Sequence, residues 1–175
     1  MEYRDIYNRE RVFTGKATPK TQPLQNGEYR LVVHVCIFNS NGQMLIQQRQ
    51  SFDKSWPNAW DFSVAGGVSA GETSWQGGER EALEELGLKI DLSQTRPFMT
   101  INYETGFDDI YLVEQDVDLS TLSLQKQEVQ NVKWATKQEI LDMIETKNFI
   151  NYYPSFVAAI FEMRAKRGLH NPNQI

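Results

Sequence analysis

Gly66-Gly67-Val68-Ser69-Ala70-Gly71-Glu72, followed after a short spacer by Glu79-Arg80-Glu81-Ala82-Leu83-Glu84-Glu85-Leu86-Gly87-Leu88, is the stretch on which the rest of the chain turns. Gly66, Gly67 and Gly71 frame a tight loop. The pattern from about Glu72 to Leu86 is helical, and Gly87 is a natural C-terminal stop. At ~100° per residue, Glu81, Glu84 and Glu85 share one face of that helix. Ala82, Leu83 and Leu86 fall on the other, so an acidic stripe is expected toward a cleft and an apolar stripe toward a core. Three carboxylates on one face repel one another, and a hard divalent cation with oxygen ligands relieves that repulsion. Taken alone, such a stripe also describes a solvated acidic helix face.

The flanking residues add specificity. From Gly66 to Leu88 the chain fits G-x5-E-x7-R-E-U-x-E-E-x-G-U, with apolar Ala82 and Leu88 at the U positions and no gap. This is the Nudix box, and the chain resembles the Nudix superfamily. The resemblance implies an α/β fold, a Nudix-type α/β/α sandwich around a mixed β-sheet. It also implies hydrolysis of a diphosphate linkage in a nucleoside diphosphate joined to another group. On the matching positions, Glu81, Glu84 and Glu85 would bind metal, with the Gly66 carbonyl completing the coordination. Arg80 would pair with and orient the carboxylates. Glu72 would brace the loop or reach a further metal. Mg²⁺ is the expected ion, with Mn²⁺ as a substitute in vitro.

Weaker similarity runs over roughly residues 28–145. Lys54-Ser55-Trp56-Pro57-Asn58-Ala59-Trp60-Asp61 is similar to the branch containing isopentenyl-diphosphate isomerases and their hydrolase relatives. Those isomerases carry a catalytic Cys where this chain has Ala65 and a metal-binding His where it has Gly67, so hydrolysis is the expected reaction. Glu128, ahead of a strand with Trp134, matches a family Glu that serves as ligand or general base. Glu81 and Glu128 are both candidates for the base. A Nudix-fold nucleotide sensor without turnover is the alternative; it usually lacks a box carboxylate, and here all are present.

Working outward, residues 29–38 read as a buried strand and Met44–Arg49 as its partner across the turn Asn39–Gly42. A short strand is expected over Asp61–Val64, and others over Met99–Tyr103, Ile110–Val117 and Val129–Ala135. Thr136 and Glu139 form a capping-box pattern for a helix to about Glu145. Pro154 opens a last helix to Arg167. Phe156, Ile160, Phe161 and Met163 on it are expected to be core. Residues 1–28 read as a short hairpin near Tyr7–Gly15 and an irregular arm, and 168–175 as a loose tail, all within one domain spanning residues 1–175. Gly77 and Gly78 lie inside the predicted central helix, where each costs ~1 kcal/mol relative to Ala. A close approach of helix to sheet would account for them. Tyr103, Trp56, Trp60 and Tyr111 either contact a base or pack.

The 175 residues are 40% hydrophobic and 23% charged, the balance of a folded domain. A net charge of −5 without a dense basic run argues against nucleic-acid binding. The expected partner is a small diphosphate compound, nucleotide-like. Assembly is left open, with a homodimer among the alternatives. The polar N-terminus has no apolar h-region and no apolar run approaches ~18 residues, so a soluble, cytoplasmic protein is expected. The single Cys36 sits in an apolar strand and reads as a small buried hydrophobe, and His34 in the same strand as a satisfied core residue.

Overall fold

Alternating β-branched and aromatic residues form the strands, and two Thr-capped periodic segments form the first two helices. The computed structural model describes residues 1–53, 55–165 and 168. In chain order the elements are β1 (Tyr3–Tyr7), β2 (Phe13–Pro19), β3 (Arg30–Phe38), β4 (Met44–Arg49), β5 (Trp60–Asp61), β6 (Val64–Gly67), α1 (Ser74–Leu86), β7 (Met99–Tyr103), β8 (Gly106–Glu114), β9 (Val129–Ala135), α2 (Lys137–Glu145) and α3 (Pro154–Met163). The expected class holds: a mixed sheet with three helices. Hydrogen-bonded strand order is β5-β4-β3-β8-β7, with β6 also on β3 and β9 also on β4. No described helix is long and apolar enough to cross a membrane.

The chain forms two compact units, and both β3 and β8 run from one into the other. The first unit comprises Met1–Val35 and Val64–Tyr111. Within it β3 pairs with β6 (Val33↔Gly66, His34↔Ala65) and β7 with β8. Ile6, Val33, Val35, Ala82, Leu86 and Leu92 are buried. Helix α1 lies close against its neighbours at the two glycines. A Cβ on Gly78 would stand 2.9 Å from Leu92 Cδ1 and 3.1 Å from Val35 Cγ2, and one on Gly77 would stand 3.2 Å from Val68 Cγ2. The close approach expected from these glycines is therefore present, and it offsets their cost in helix propensity.

The second unit comprises Cys36–Ser63 and Leu112–Ile175. Strand β4 carries β9 through six residue pairs and β5 through two. The ring of Phe62 stacks on Tyr152 at 4.3 Å and meets Phe149 and Phe156 edge-on. Of the four α3 residues expected in the core, Ile160 and Phe161 are buried, while Phe156 and Met163 are only partly so. Cys36 is buried too, and that burial, with the negative charge of Asp61, pushes its thiol well above the ordinary range.

Several boundaries differ from expectation. The N-terminal hairpin is longer than Tyr7–Gly15. Asn8 Oδ1 accepts from the amides of Glu10 and Val12, which closes the turn and lets β1 and β2 pair from Tyr7↔Phe13 back to Tyr3↔Pro19. The expected strand Asp61–Val64 is two strands, broken at Phe62 and Ser63. Ser63 is fully buried, its hydroxyl accepting from the Ile37 amide at 2.8 Å and donating to the Leu45 carbonyl. Strand β8 begins four residues earlier than predicted because the polar pair Asp108-Asp109 is part of it. Asp109 is held there by Arg11 and by the Thr100 hydroxyl at 2.6 Å. Helix α3 ends at Met163, where Arg164 Nη1 donates to the Phe161 carbonyl at 2.6 Å. The expected end at Arg167 and the tail from Leu169 onward lie outside the described residues.

Candidate active site

The loop and helix of the box are fixed by short-range hydrogen bonds that the sequence encodes. Thr73 caps α1 in a capping box with Gln76, and Gly87 ends it with φ 65°, a left-handed conformation that favours glycine. Ahead of the cap, Glu72 Oε2 accepts from the Ser69 amide at 2.9 Å, and Gly71 takes φ +82°.

Arg80 stands at the centre of the acidic cluster. Its guanidinium forks onto Glu72 at 2.8 and 3.1 Å, and Nη1 lies 2.9 Å from Glu81 and 3.0 Å from Glu84. Nη2 also donates to the Gly67 carbonyl at 3.1 Å. Burial acts against the charge on Arg80, but the hydrogen bond to Glu72 and the charge of Glu81 outweigh it and hold its pKa above the usual value. Burial likewise opposes ionisation of Glu72, and the hydrogen bonds from Arg80 and the Ser69 amide reverse that, leaving its carboxyl below the ordinary range. For Glu81 the balance goes the other way: burial raises its pKa and the nearby Arg80 offsets only part of the rise.

The expected division of α1 into an acidic cleft face and an apolar core face is corrected. Glu81 and Glu85 are buried, at 8% and 3% exposure, while Leu83 is 49% exposed. At ~100° per residue, Gly78, Glu81, Ala82 and Glu85 fall within one ~100° arc, and Leu83 lies ~160° from Glu81. The buried face is thus centred between the two types of residue. Glu84 stays exposed.

Gly66 explains where the Glu81 carboxyl rests. A Cβ at position 66 would come within 2.2 Å of Glu81 Cδ, so the missing side chain leaves the notch that Glu81 fills. This gathers hard oxygen donors, the Glu81 carboxyl and the backbone at Gly66, with Glu84 and Glu85 one turn on; such a donor set suits Mg²⁺. Among the described residues no three His, Cys, Asp or Glu side chains stand together as a ready-made metal cluster. Arg80 takes up the space between these carboxylates.

Glu128 lies in the second unit, in the turn before β9. Its side chain is exposed and its backbone carbonyl accepts from the Gln50 amide at 3.0 Å. Of the aromatic candidates, Tyr111 is buried with its hydroxyl 2.9 Å from Ser74 Oγ, so it packs and does not stack on a base. Trp60 lies under Lys133 at 4.8 Å, and Trp56 is half exposed. Tyr103 accepts from Arg30 Nε at 3.0 Å. His34 Nδ1 is 3.2 Å from Asp108.

The N-terminal segment also reaches the box. Lys20 Nζ donates to the Gly67 carbonyl at 3.1 Å and pairs with Glu2 at 2.8 Å. The Ala70 amide donates to the Tyr3 carbonyl and the Gly71 amide to Asp5 Oδ2 at 2.8 Å. No local signal in the sequence connects these residues to the box, because they lie more than forty positions before it.

A loop and helix of this geometry, carrying the whole box, define a Nudix hydrolase, and the chain belongs to the Nudix family. The NUDIX domain model matches residues 28–156. An uncharacterized Nudix hydrolase of Listeria monocytogenes is 45% identical over 97% of this chain and 99% of its own length. A solved structure from Deinococcus radiodurans superposes with a TM-score of 0.72 at 27% identity, covering 90% of this chain and 98% of that one. An isopentenyl-diphosphate Delta-isomerase of Salmonella heidelberg is 30% identical over 63% of this chain and 64% of its own length.

Proposed function

We propose that this Nudix hydrolase is Mg²⁺-dependent and cleaves the diphosphate linkage of a nucleoside diphosphate derivative. The observation that carries the proposal is the seating of Glu81 in the Gly66 notch, with Arg80 tying Glu72, Glu81 and Glu84 into one cluster. Glu81, Glu84, Glu85 and the Gly66 carbonyl would hold the ion, with Glu72 within the same cluster. When bound, Mg²⁺ neutralises phosphate oxygens and lowers the pKa of an attacking water.

The protein's own residues do the rest. Arg80 holds the carboxylates in register, so little reorganisation is needed as charge develops on the substrate. Glu81 would take the proton from the attacking water where it does not itself hold the ion. Glu128 remains the second candidate for that step. Isomerisation is not supported: Ala65 and Gly67 supply neither thiol nor imidazole.

A panel of nucleoside diphosphate derivatives, assayed with Mg²⁺ and with EDTA, tests the reading. Hydrolysis of at least one compound that stops in EDTA is expected. Metal-independent turnover, or none across the panel while isopentenyl diphosphate is converted to dimethylallyl diphosphate, would overturn it.

A further inference from the structure

Beside the box, in the same unit, Arg4, Lys20, Thr21, Arg30 and Thr105 line an open cavity of about 410 Å³. Its lysine is paired with Glu2 at 2.8 Å, but its two arginines have no carboxylate partner among the described residues. Arg4 is only 7% exposed, donates to the backbone carbonyls of Lys20 and Gln22, and keeps a buried Nε without a partner. Arg30 donates to the phenol oxygen of Tyr103. Among the ion pairs of the described residues, none includes Arg4 or Arg30. The nearby Glu28 carboxylate accepts instead from the Gln25 amide at 3.0 Å. Burial, and next to it the charge on Arg30, hold the Arg4 pKa below its usual value.

Two guanidiniums facing one cavity without a carboxylate carry a desolvation and repulsion cost that an oxyanion would remove. Guanidinium forks match the oxygens of a phosphate group, and Thr21 and Thr105 line the same cavity. The cavity also touches the catalytic loop. Lys20 Nζ and Arg80 Nη2 both donate to the Gly67 carbonyl, each at 3.1 Å, so one backbone oxygen joins the cationic cavity to the acidic cluster.

We propose that the Arg4–Lys20–Arg30 cavity is a second anion site that binds a phosphate monoester group carried by the substrate outside the diphosphate that is cleaved. This deepens the hydrolase reading and rests on it for the word substrate. The cationic cavity itself is tested without turnover.

Calorimetric titration of inorganic phosphate into the whole protein in EDTA should show binding at one site. Arg30→Gln and Lys20→Gln should each weaken it at least ~10-fold, the worth of one charge-assisted hydrogen bond, and Arg30→Lys should recover part of the loss. Thermal melts on the same samples confirm folding. No binding in EDTA, or equal binding in folded Arg30→Gln and Lys20→Gln, overturns the site. On hydrolysed compounds, one with an added phosphate monoester should have a lower KM than its dephosphorylated analogue. That preference should shrink at least ~10-fold in Arg30→Gln. An unchanged preference overturns the assignment to substrate and leaves a site for free phosphate only. A protein with no turnover at all sinks the hydrolase reading, while the EDTA titration still decides the cavity.

Discussion

Helices α1 and α2 start on the same device: a Thr N-cap, Thr73 or Thr136, in a capping box with the residue three positions on, Gln76 or Glu139. Their middles differ. Helix α2 buries Ile140 and Ile144 and leaves its carboxylates in solvent, the ordinary economy of an amphipathic helix. Helix α1 buries Glu81 and Glu85, carries two glycines where its neighbours press against it, and exposes Leu83. Capping and periodicity locate a helix, and they do so equally well for both. What sets α1 apart is that it gives up packing quality to hold carboxyl groups out of water.

The sharpest way to break this contrast is Glu81→Gln, which keeps the shape and removes the charge. Turnover should fall at least ~100-fold. Stability should hold or rise, since burial already disfavours the charged form of Glu81. Initial rates and thermal melts on one preparation check both, and full turnover would make α1 a scaffold like α2.

Gly66→Ala tests the notch. Its Cβ cannot coexist with the observed Glu81 position, so Glu81 must move. We expect lost turnover with a stability cost of ~1–3 kcal/mol by denaturant unfolding. Gly78→Ala should cost stability of the same order, less the ~1 kcal/mol that Ala returns in helix propensity. A Gly78→Ala protein more stable than the parent would show that α1 is not in close contact there.

Acid sharpens the comparison further. Glu72 has a folded-state pKa below its unfolded value, so its contribution is present above the unfolded pKa of ~4.3 and is lost as pH falls through the folded one. Glu72→Gln should flatten the acid limb of stability below that range. Melts across the acid range that are superimposable for parent and variant would contradict the Arg80–Glu72 pairing. The smallest effect is expected in the ordinary helix: Thr136→Ala should cost ~1 kcal/mol of stability, read from denaturant midpoints.

Local patterns made much of the fold legible. Met44–Arg49, Met99–Tyr103, Val129–Ala135 and the span of α2 agree with expectation residue for residue. Each is bounded by turn or cap residues a few positions away. The misses share a cause. Ser63 interrupts a strand because its hydroxyl serves two backbone groups distant in sequence, and Asp109 enters β8 because Arg11, 98 residues earlier, neutralises it. A polar residue satisfied at such range looks like a loop residue in any local window. The same holds at the site. The box gave the carboxylates their identities, but the burial of Glu81 and Glu85 and the reach of Lys20 depend on where the chain folds back.

That fold-back bears on how the protein is handled in the laboratory. A cloning boundary drawn at residue 28, where the family match begins, would keep every box residue. It would also discard Lys20 and the Tyr3 and Asp5 groups that receive the Ala70 and Gly71 amides. The trimmed protein would lose the partners of the Ala70 and Gly71 amides in the box loop. An affinity tag fused at Met1 would sit one residue from the Glu2–Lys20 pair.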